Sequence, residues 1–268
     1  MTSFKDFEHR GWQEVANRYH DAFSPVTTQA LDALLDAAGA GECVRLLDLA
    51  CGPGYAAAAA AERGAKVVGM DFSSEMIMEA RKRNPKVQFE VGDAEKLPLA
   101  DGEFDAVVMN YGMLHMSHPE RAIGESYRVL RPGGRFAFTV WDVPEKARGF
   151  EIVLDAIRAH GDLNVPIPSG PPFFRFSDPV ESRRALSSAG FVNPRVSSVS
   201  QFWKLASPDD LFHIFYHGSV RNAALLRAQT SLARDAIQAA IRKGVEGFRK
   251  DDAFELPMPA VLSSAEKS

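Results

Sequence analysis

The stretch "LLDLACGPGY", Leu46 to Tyr55, decides the fold. It opens as an apolar run, the pattern of a strand covered on both faces. The run carries one acid, Asp48, and then breaks at Gly52 and Gly54. Six alanines follow, Ala56 to Ala61, and alanine is the best helix former. A strand, a glycine turn and a helix in that order bring bare backbone close to a ligand at a helix start. Gly52-Pro53-Gly54-Tyr55-Ala56-Ala57 fits the permissive G-x-G-x-x-G/A spacing of dinucleotide sites, so spacing alone does not identify the ligand.

Outward from this turn, short β-branched runs alternate with helical patterns. Strands are expected at Val44–Leu49, Lys66–Met70, Val87–Val91, Phe104–Asn110 and Arg135–Val140, with helices at Tyr55–Arg63, Ser74–Arg83 and Pro119–Leu130. That rhythm predicts an α/β fold, a parallel sheet covered by helices. After Trp141 it breaks. A helical piece, Ala147–His160, and the stiff loop "NVPIPSGPPF" precede the helix "DPVESRRALSSAG" and the strand "FVNPRVSSVS". Ser207 and Pro208 read as the cap and first turn of another helix. Apolar residues recur at helical spacing from Arg221 to Phe248. The tail "AFELPMPAVLSSAEK" reads as a last strand, which Pro257 and Pro259 confine to an edge or a bulge. The stretch before Leu31 reads as one helix lying over the sheet, with Trp12 and Tyr19 on one face.

Asp48 separates the candidate ligands. A pyrophosphate over the turn would be repelled by a carboxylate, by about 4 kcal/mol at 4 Å and an effective dielectric of 20, whereas a cation would be attracted as strongly. S-adenosylmethionine is such a cation, with a sulfonium and an amine and no phosphate. Asp71 ends the second strand about 20 residues past the glycines, where an acid accepts both ribose hydroxyls. Phe72 and Met76 then flank an adenine. Asp93 ends the third strand and suits the adenine amine, with the Ala94 backbone alongside. Asn110 and Tyr111 end the fourth. Four consecutive strands thus deliver a polar or glycine-rich carboxyl end to one edge, where open α/β sheets bind ligands.

The pieces "LLDLACGPG", "VVGMDFSSEMIMEAR", "VQFEVGDAEKLPLADGEFDAVV", "LHMSHPERAIGESYRVLRPGG" and "RFAFTVWD" resemble class I S-adenosylmethionine-dependent methyltransferases, of the group that includes the ubiquinone/menaquinone-biosynthesis enzymes. They cover about a third of the chain. The resemblance implies a Rossmann-like seven-stranded sheet of order 3-2-1-4-5-7-6, with its seventh strand antiparallel and helices on both faces. It implies S-adenosyl-L-methionine as cofactor, on Asp48, Ala50, Gly52, Asp71, Phe72, Asp93, Ala94 and Asn110. Cys51 and Gly54, inside the same turn, join that set, as do Met76 and, from the N-terminal helix acting as a lid, Trp12 and Tyr19. The region 143–250 matches no substrate-defining motif.

Methyl transfer from a sulfonium is an in-line displacement that needs alignment and dehydration. A general base helps when the nucleophile is a hydroxyl or a carbon acid. His115, just beyond the fourth strand, is the first candidate. Tyr111, the second, shapes the pocket or touches the sulfonium. His118 reads as the cap of the helix that starts at Pro119. His213 and His217 lie four apart, a metal-compatible spacing, but no HExxH pattern or nearby cysteine supports a metal. With Phe212, Phe215 and Tyr216 they suit the wall of an apolar acceptor pocket. Phe174, in the proline-rich loop, suits a substrate contact.

The whole chain of 268 residues reads as one methyltransferase domain. Its parts are a lid helix at 1–30, a cofactor-binding core at 31–141, pocket insertions at 142–176 and 201–250, and a last strand and tail at 251–268. The net charge of −4 creates no basic field for nucleic acid or an anionic membrane. No run approaches the roughly 20 apolar residues of a membrane span. The start "MTSFKDFEHRGW" lacks a secretion signal. Cys43 and Cys51, roughly 25 Å apart if one strand joins them, are too far for a disulfide, which needs less than about 7 Å. A cytoplasmic enzyme with a small, apolar or aromatic methyl acceptor is expected, and an oligomer is compatible. The competing readings are an NAD-dependent reductase, disfavoured by Asp48 and by the lack of a Ser/Tyr-x-x-x-Lys pair, and a protein that binds the cofactor without transferring its methyl. A third, methylation of nucleic acid or protein, lacks the N/D-P-P-Y signature of amino-group methylation on nucleic acid, since "NYGM" stands there.

Overall fold

Leu46, Leu47, Asp48 and Leu49 are all inaccessible to solvent, as a central parallel strand requires. The computed structural model describes residues 2–268. Its strands are β1 Arg45–Leu49, β2 Lys66–Asp71, β3 Gln88–Val91, β4 Phe104–Asn110, β5 Leu130–Trp141, β6 Phe191–Val199, β7 Phe202–Leu205, β8 Arg249–Lys250, β9 Ala253–Pro257 and β10 Ala260–Lys267. Seven of them form one sheet of order β3-β2-β1-β4-β5-β10-β6, with β10 antiparallel to both neighbours. Counted within that sheet, this is the expected order 3-2-1-4-5-7-6. Helix Ser74–Arg83 falls where the spacing places it, capped by Ser73, whose hydroxyl accepts from the Met76 N–H.

The chain divides into two compact units. One comprises 27–141, 170–199 and 260–268 and contains this sheet. Helix Leu31–Ala38 buries Leu31, Leu34, Leu35 and Ala38 against Leu46, Ala106, Val108 and Ala137 of the sheet. Gly39 ends that helix at φ +69°, a left-handed cap that suits glycine. Helix Tyr55–Glu62 adds Ala56 and Ala60 to the same cluster and turns Ala57 toward Ile77, Ala80 and Phe89. The small alanine side chains let that helix sit close to the sheet.

The other unit comprises residues up to 26, 142–169 and 200–259. It contains helices Phe4–Val15, Arg148–His160, Asp210–Gly218, Arg221–Arg227 and Ser231–Glu246, and a sheet of order β7-β9-β8. Its core is aromatic: Phe215 meets Phe23 at 5.9 Å, Phe150 at 5.1 Å and Trp203 at 5.8 Å between ring centroids. Glu8 is fully buried, bonded to Arg221 Nε at 2.6 Å and Trp12 Nε1 at 3.1 Å.

Several local expectations are corrected. The tail holds two strands, and β10 is interior to its sheet. Pro257 and Pro259 lie at and beyond the end of β9, outside the β10 ladder. Before Leu31 the chain is not one helix: Phe4–Val15 stops, and Tyr19–Ala22 starts separately. The 221–248 pattern is two helices, broken where the Thr230 hydroxyl caps the second one, and Leu232 points to solvent. The helix after Ser207 begins at Asp210; Ser207 donates its N–H to the Asp210 carboxylate and its hydroxyl accepts from the Asp209 N–H.

Candidate active site

Parallel register brings the carboxyl ends of β1 to β4 to one edge: Leu49 pairs with Met70, Asp71 with Val91 and Asp48 with Val108. The glycine turn is braced by two acids. Asp48 Oδ2 accepts the Ala57 N–H at 2.9 Å, which pins the first turn of the alanine helix to the strand. Asp71 Oδ2 accepts the Gly52 N–H at 2.9 Å, and its Oδ1 accepts the Ser73 N–H at 2.9 Å. The two glycines differ. Gly54 has φ +84°, and a Cβ there would lie 2.7 Å from the Phe89 ring. Gly54 is therefore a packing requirement of the sheet. Gly52, at φ +51°, would present a Cβ to open space, so its surface is the one left for a ligand.

Asp48 is fully buried, and its Oδ1 has no hydrogen-bond partner. Burial pushes its carboxyl up to about 8; the Ala57 N–H works against the rise and the neighbouring Asp71 adds to it. From sequence alone Asp48 carries a standing negative charge. In the structure burial favours the neutral form of that carboxyl. Burial likewise pushes the Cys51 thiol up, and both cysteines are free thiols.

Beyond β4, Tyr111 sits at φ +55°, and Ala50, in the β1 loop, at φ +52°. Left-handed backbone at non-glycine residues costs roughly 1–3 kcal/mol each and persists where the surroundings impose it. A Cβ at Gly112 would lie 2.6 Å from the Ala50 Cβ, so that glycine lets the two strained loops meet. Thr139 imposes part of the strain: its carbonyl and its hydroxyl both accept the Tyr111 N–H, and the hydroxyl donates to Asn110 Oδ1 at 2.7 Å. Asn110 Nδ2 donates to the Thr27 carbonyl. The Tyr111 ring lies 4.2 Å from Trp141, both buried. His115 ends a single turn, Met113–His115, half-buried, with its ring edge-on to Phe173 at 6.0 Å; Phe173 meets Phe174 at 4.9 Å. The proline-rich loop thus delivers its aromatic pair beside His115. Phe72 is half-buried, Met76 and Ala94 are buried, and Asp93 Oδ1 accepts the Glu95 N–H.

In the other unit, Trp12 and Tyr19 meet edge-on at 5.9 Å although they sit on different helices. Phe212 stacks on Tyr216 at 5.4 Å, and the exposed rings of His213 and His217 lie parallel at 6.2 Å. Arg18 Nη1 is 3.2 Å from His217 Nδ1; partial desolvation and the nearby cations hold that imidazole below its usual range. Among the described residues no three His, Cys, Asp or Glu side chains converge as a metal site would require. His118 occupies the helix N-cap position, but its side chain makes no capping bond; the Glu95 carboxylate accepts the N–H groups of Ser117 and His118 instead.

Glu95, Gly112, Thr139 and Trp141 are the participants that sequence reasoning passed over. Each had a signal: an acid before an apolar pair in "GDAEKLPL", a glycine after the β4 end, and a hydroxyl and an indole ending an otherwise apolar strand.

Residues 47–138 match the family described as "Methyltransferase domain". A demethylmenaquinone methyltransferase of Beutenbergia cavernae is 41% identical over 138 residues, which is 50% of this chain and 57% of that protein. The chain thus spans little more than half the length of the curated relatives it matches. The YcgJ protein of Bacillus subtilis shares the fold, with a TM-score of 0.56 at 20% identity over 89% of this chain and 97% of its own. A phosphoethanolamine N-methyltransferase of Haemonchus contortus, solved with S-adenosyl-L-methionine, gives a TM-score of 0.60 at 19% identity over 100% of this chain and 60% of its own. Among the described residues no helix is long and apolar enough to cross a membrane.

Proposed function

On the premise that residues 47–138 form a class I S-adenosylmethionine-dependent methyltransferase domain of the ubiquinone/menaquinone-biosynthesis type, we propose that the chain transfers a methyl group to a small apolar or aromatic metabolite in the cytoplasm. One observation carries the reading. Asp48, Asp71, Asp93 and the Asn110–Tyr111 pair end four adjacent parallel strands around the open surface of Gly52. That edge fits a cationic nucleoside. Asp71 takes the ribose hydroxyls, since a carboxylate oxygen that already accepts one N–H keeps a lone pair for a second donor. Asp93 and the Ala94 backbone take the adenine edge, with Phe72 and Met76 on its faces. Asp48 answers the positive charge from below the turn. When bound, S-adenosylmethionine supplies an electrophilic methyl on a sulfonium.

The chain's own residues then align and dry the acceptor. Tyr111, held by Thr139 and Trp141, gives a rigid wall. His115 stands ready to take a proton from a hydroxyl or carbon acid, with Phe173 and Phe174 beside it for an apolar ring. The relative named for demethylmenaquinone makes a quinone-like ring a first acceptor to try.

Thermal unfolding with S-adenosylmethionine, its demethylated product and NADH tests the cofactor. The first two are expected to raise the midpoint and NADH to leave it unchanged; the reverse pattern would return the reductase. A metabolite extract incubated with methyl-labelled cofactor then identifies the acceptor. Failure of any metabolite to take up label, with cofactor bound, would leave a protein that binds the cofactor without using it.

A further inference from the structure

Glu95 is buried, 8% exposed, and hydrogen-bonds directly to residues of two loops that do different work. Its own N–H donates to Asp93 Oδ1 at 3.0 Å, and the Lys96 N–H closes a tight turn on the Asp93 carbonyl at 3.0 Å. Its side chain leaves that turn. Oε1 accepts the Ser117 N–H at 2.6 Å and the His118 N–H at 2.9 Å. These two N–H groups stand immediately before helix Pro119–Val129, and Pro119 has none of its own. A carboxylate at that point is favoured by the helix dipole and by charge-assisted bonds.

The segment 111–118 carries His115 and is fastened at two ends. At its start the Tyr111 N–H is held by Thr139. At its end Ser117 and His118 are held by Glu95. Between them run the turn bonds, His115 N–H to the Gly112 carbonyl and Met116 N–H to the Met113 carbonyl, and the edge-on contact of the His115 ring with Phe173. We propose that Glu95 is a positioning residue: it joins the loop that carries Asp93 to the turn that carries His115, and so fixes where the imidazole stands. The role rests on His115 serving the transfer reaction. The Asp93 loop has a second, independent fastening. The Leu97 N–H donates to Glu125 Oε2, and Arg128 donates to the Leu97 and Leu99 carbonyls. Removal of Glu95 therefore leaves that loop clamped and takes away the acceptor of the Ser117 and His118 N–H groups at the end of the His115 turn.

The test is carried out on the full chain labelled with 15N-histidine, with His115→Gln used to identify the His115 ring signals. In the wild type His115 gives one narrow set. Glu95→Ala is expected to broaden or split it, and to lower kcat about tenfold or more with the acceptor found by labelling, because small misplacements of a reacting group are that costly. The dissociation constant for S-adenosylhomocysteine is expected to change less than about threefold, far below that tenfold loss, which would be 1.4 kcal/mol. Glu95→Gln, whose amide oxygen accepts both N–H groups, is expected to restore the narrow signal and most of the turnover. Should Glu95→Ala not fold, Glu95→Asp, one methylene too short, takes its place. An unchanged His115 signal in the Ala or Asp variant overturns the proposal, as does a Gln variant disturbed as much as the Ala variant. Wild-type protein that binds no S-adenosylhomocysteine would defeat the proposed function, while the His115 signal would still decide the role of Glu95.

Discussion

Replacing Asp48 by asparagine should make the ligand-free protein more stable and the cofactor complex weaker. Asp48 is inaccessible to solvent, keeps Oδ1 unpartnered and has its carboxyl pushed up to about 8 from an ordinary 3.8. Between those two values the folded chain holds a proton that the unfolded chain gives up. Stability is therefore lost as pH rises from about 4, and it levels off above about 8. At pH 7 the accumulated cost is about 4 kcal/mol, a ceiling set by full burial. Asparagine cannot ionise, and its amide oxygen still accepts the Ala57 N–H. Urea unfolding at pH 5, 6, 7 and 8 should show a wild type that weakens with pH relative to Asp48→Asn, with the gap closing toward pH 4. A bound cation reverses the preference of Asp48 and expels the proton. Titration calorimetry in two buffers of different ionisation enthalpy should show wild-type protein releasing up to about one proton per S-adenosylmethionine at pH 7, and Asp48→Asn releasing less and binding more weakly. A variant no more stable than wild type at pH 7, or uptake of S-adenosylmethionine without proton release, would refute the reasoning.

Asp71→Ala removes the acceptor for the Gly52 and Ser73 N–H groups, so cofactor affinity should fall about tenfold or more, roughly the loss of 1.4 kcal/mol or above; an unchanged calorimetric dissociation constant would remove Asp71 from the site. Gly54→Ala should cost about 1–3 kcal/mol of stability, because its Cβ meets Phe89 in a left-handed backbone, and Gly52→Ala should cost less stability and more affinity. Equal losses from the two glycine variants in thermal unfolding and binding would show that the turn does not divide its tasks in this way. Arg221→Met removes the cation paired with the fully buried Glu8 and should cost about 3 kcal/mol in urea unfolding, part of it recovered by adding Glu8→Gln; a single variant as stable as wild type would mean that the pair contributes nothing.

Most of the large sheet was legible in the residues because it is built from local rules. β4 and helix Ser74–Arg83 have the bounds that period and capping give, whereas β5 begins at Leu130, ahead of the expected Arg135, and takes "RPGG" into the strand, where the pairing slips between Phe104 and Ala106. Four polar strand ends were legible for the same reason, since a parallel sheet sends every such end to one edge. Elements whose neighbours are distant in the chain were misread. The prolines of the tail argued for an edge, yet β10 is placed by pairing with strands about 70 and 120 residues away, and the prolines fall outside its ladder. Trp12 and Tyr19 meet through a break between helices that no periodicity announces.

The sequence by itself determined the strand-turn-helix order, the acids at the strand ends and the glycines at left-handed positions, because each depends on a few neighbouring residues. The tertiary structure alone decided what those groups are worth. It buried Asp48 until its charge became conditional, set Gly54 against Phe89 while leaving Gly52 open, and brought Glu95 beneath the N–H groups of Ser117 and His118. Burial and long-range hydrogen bonds depend on which distant segments are packed together, and that information is absent from any short stretch of residues.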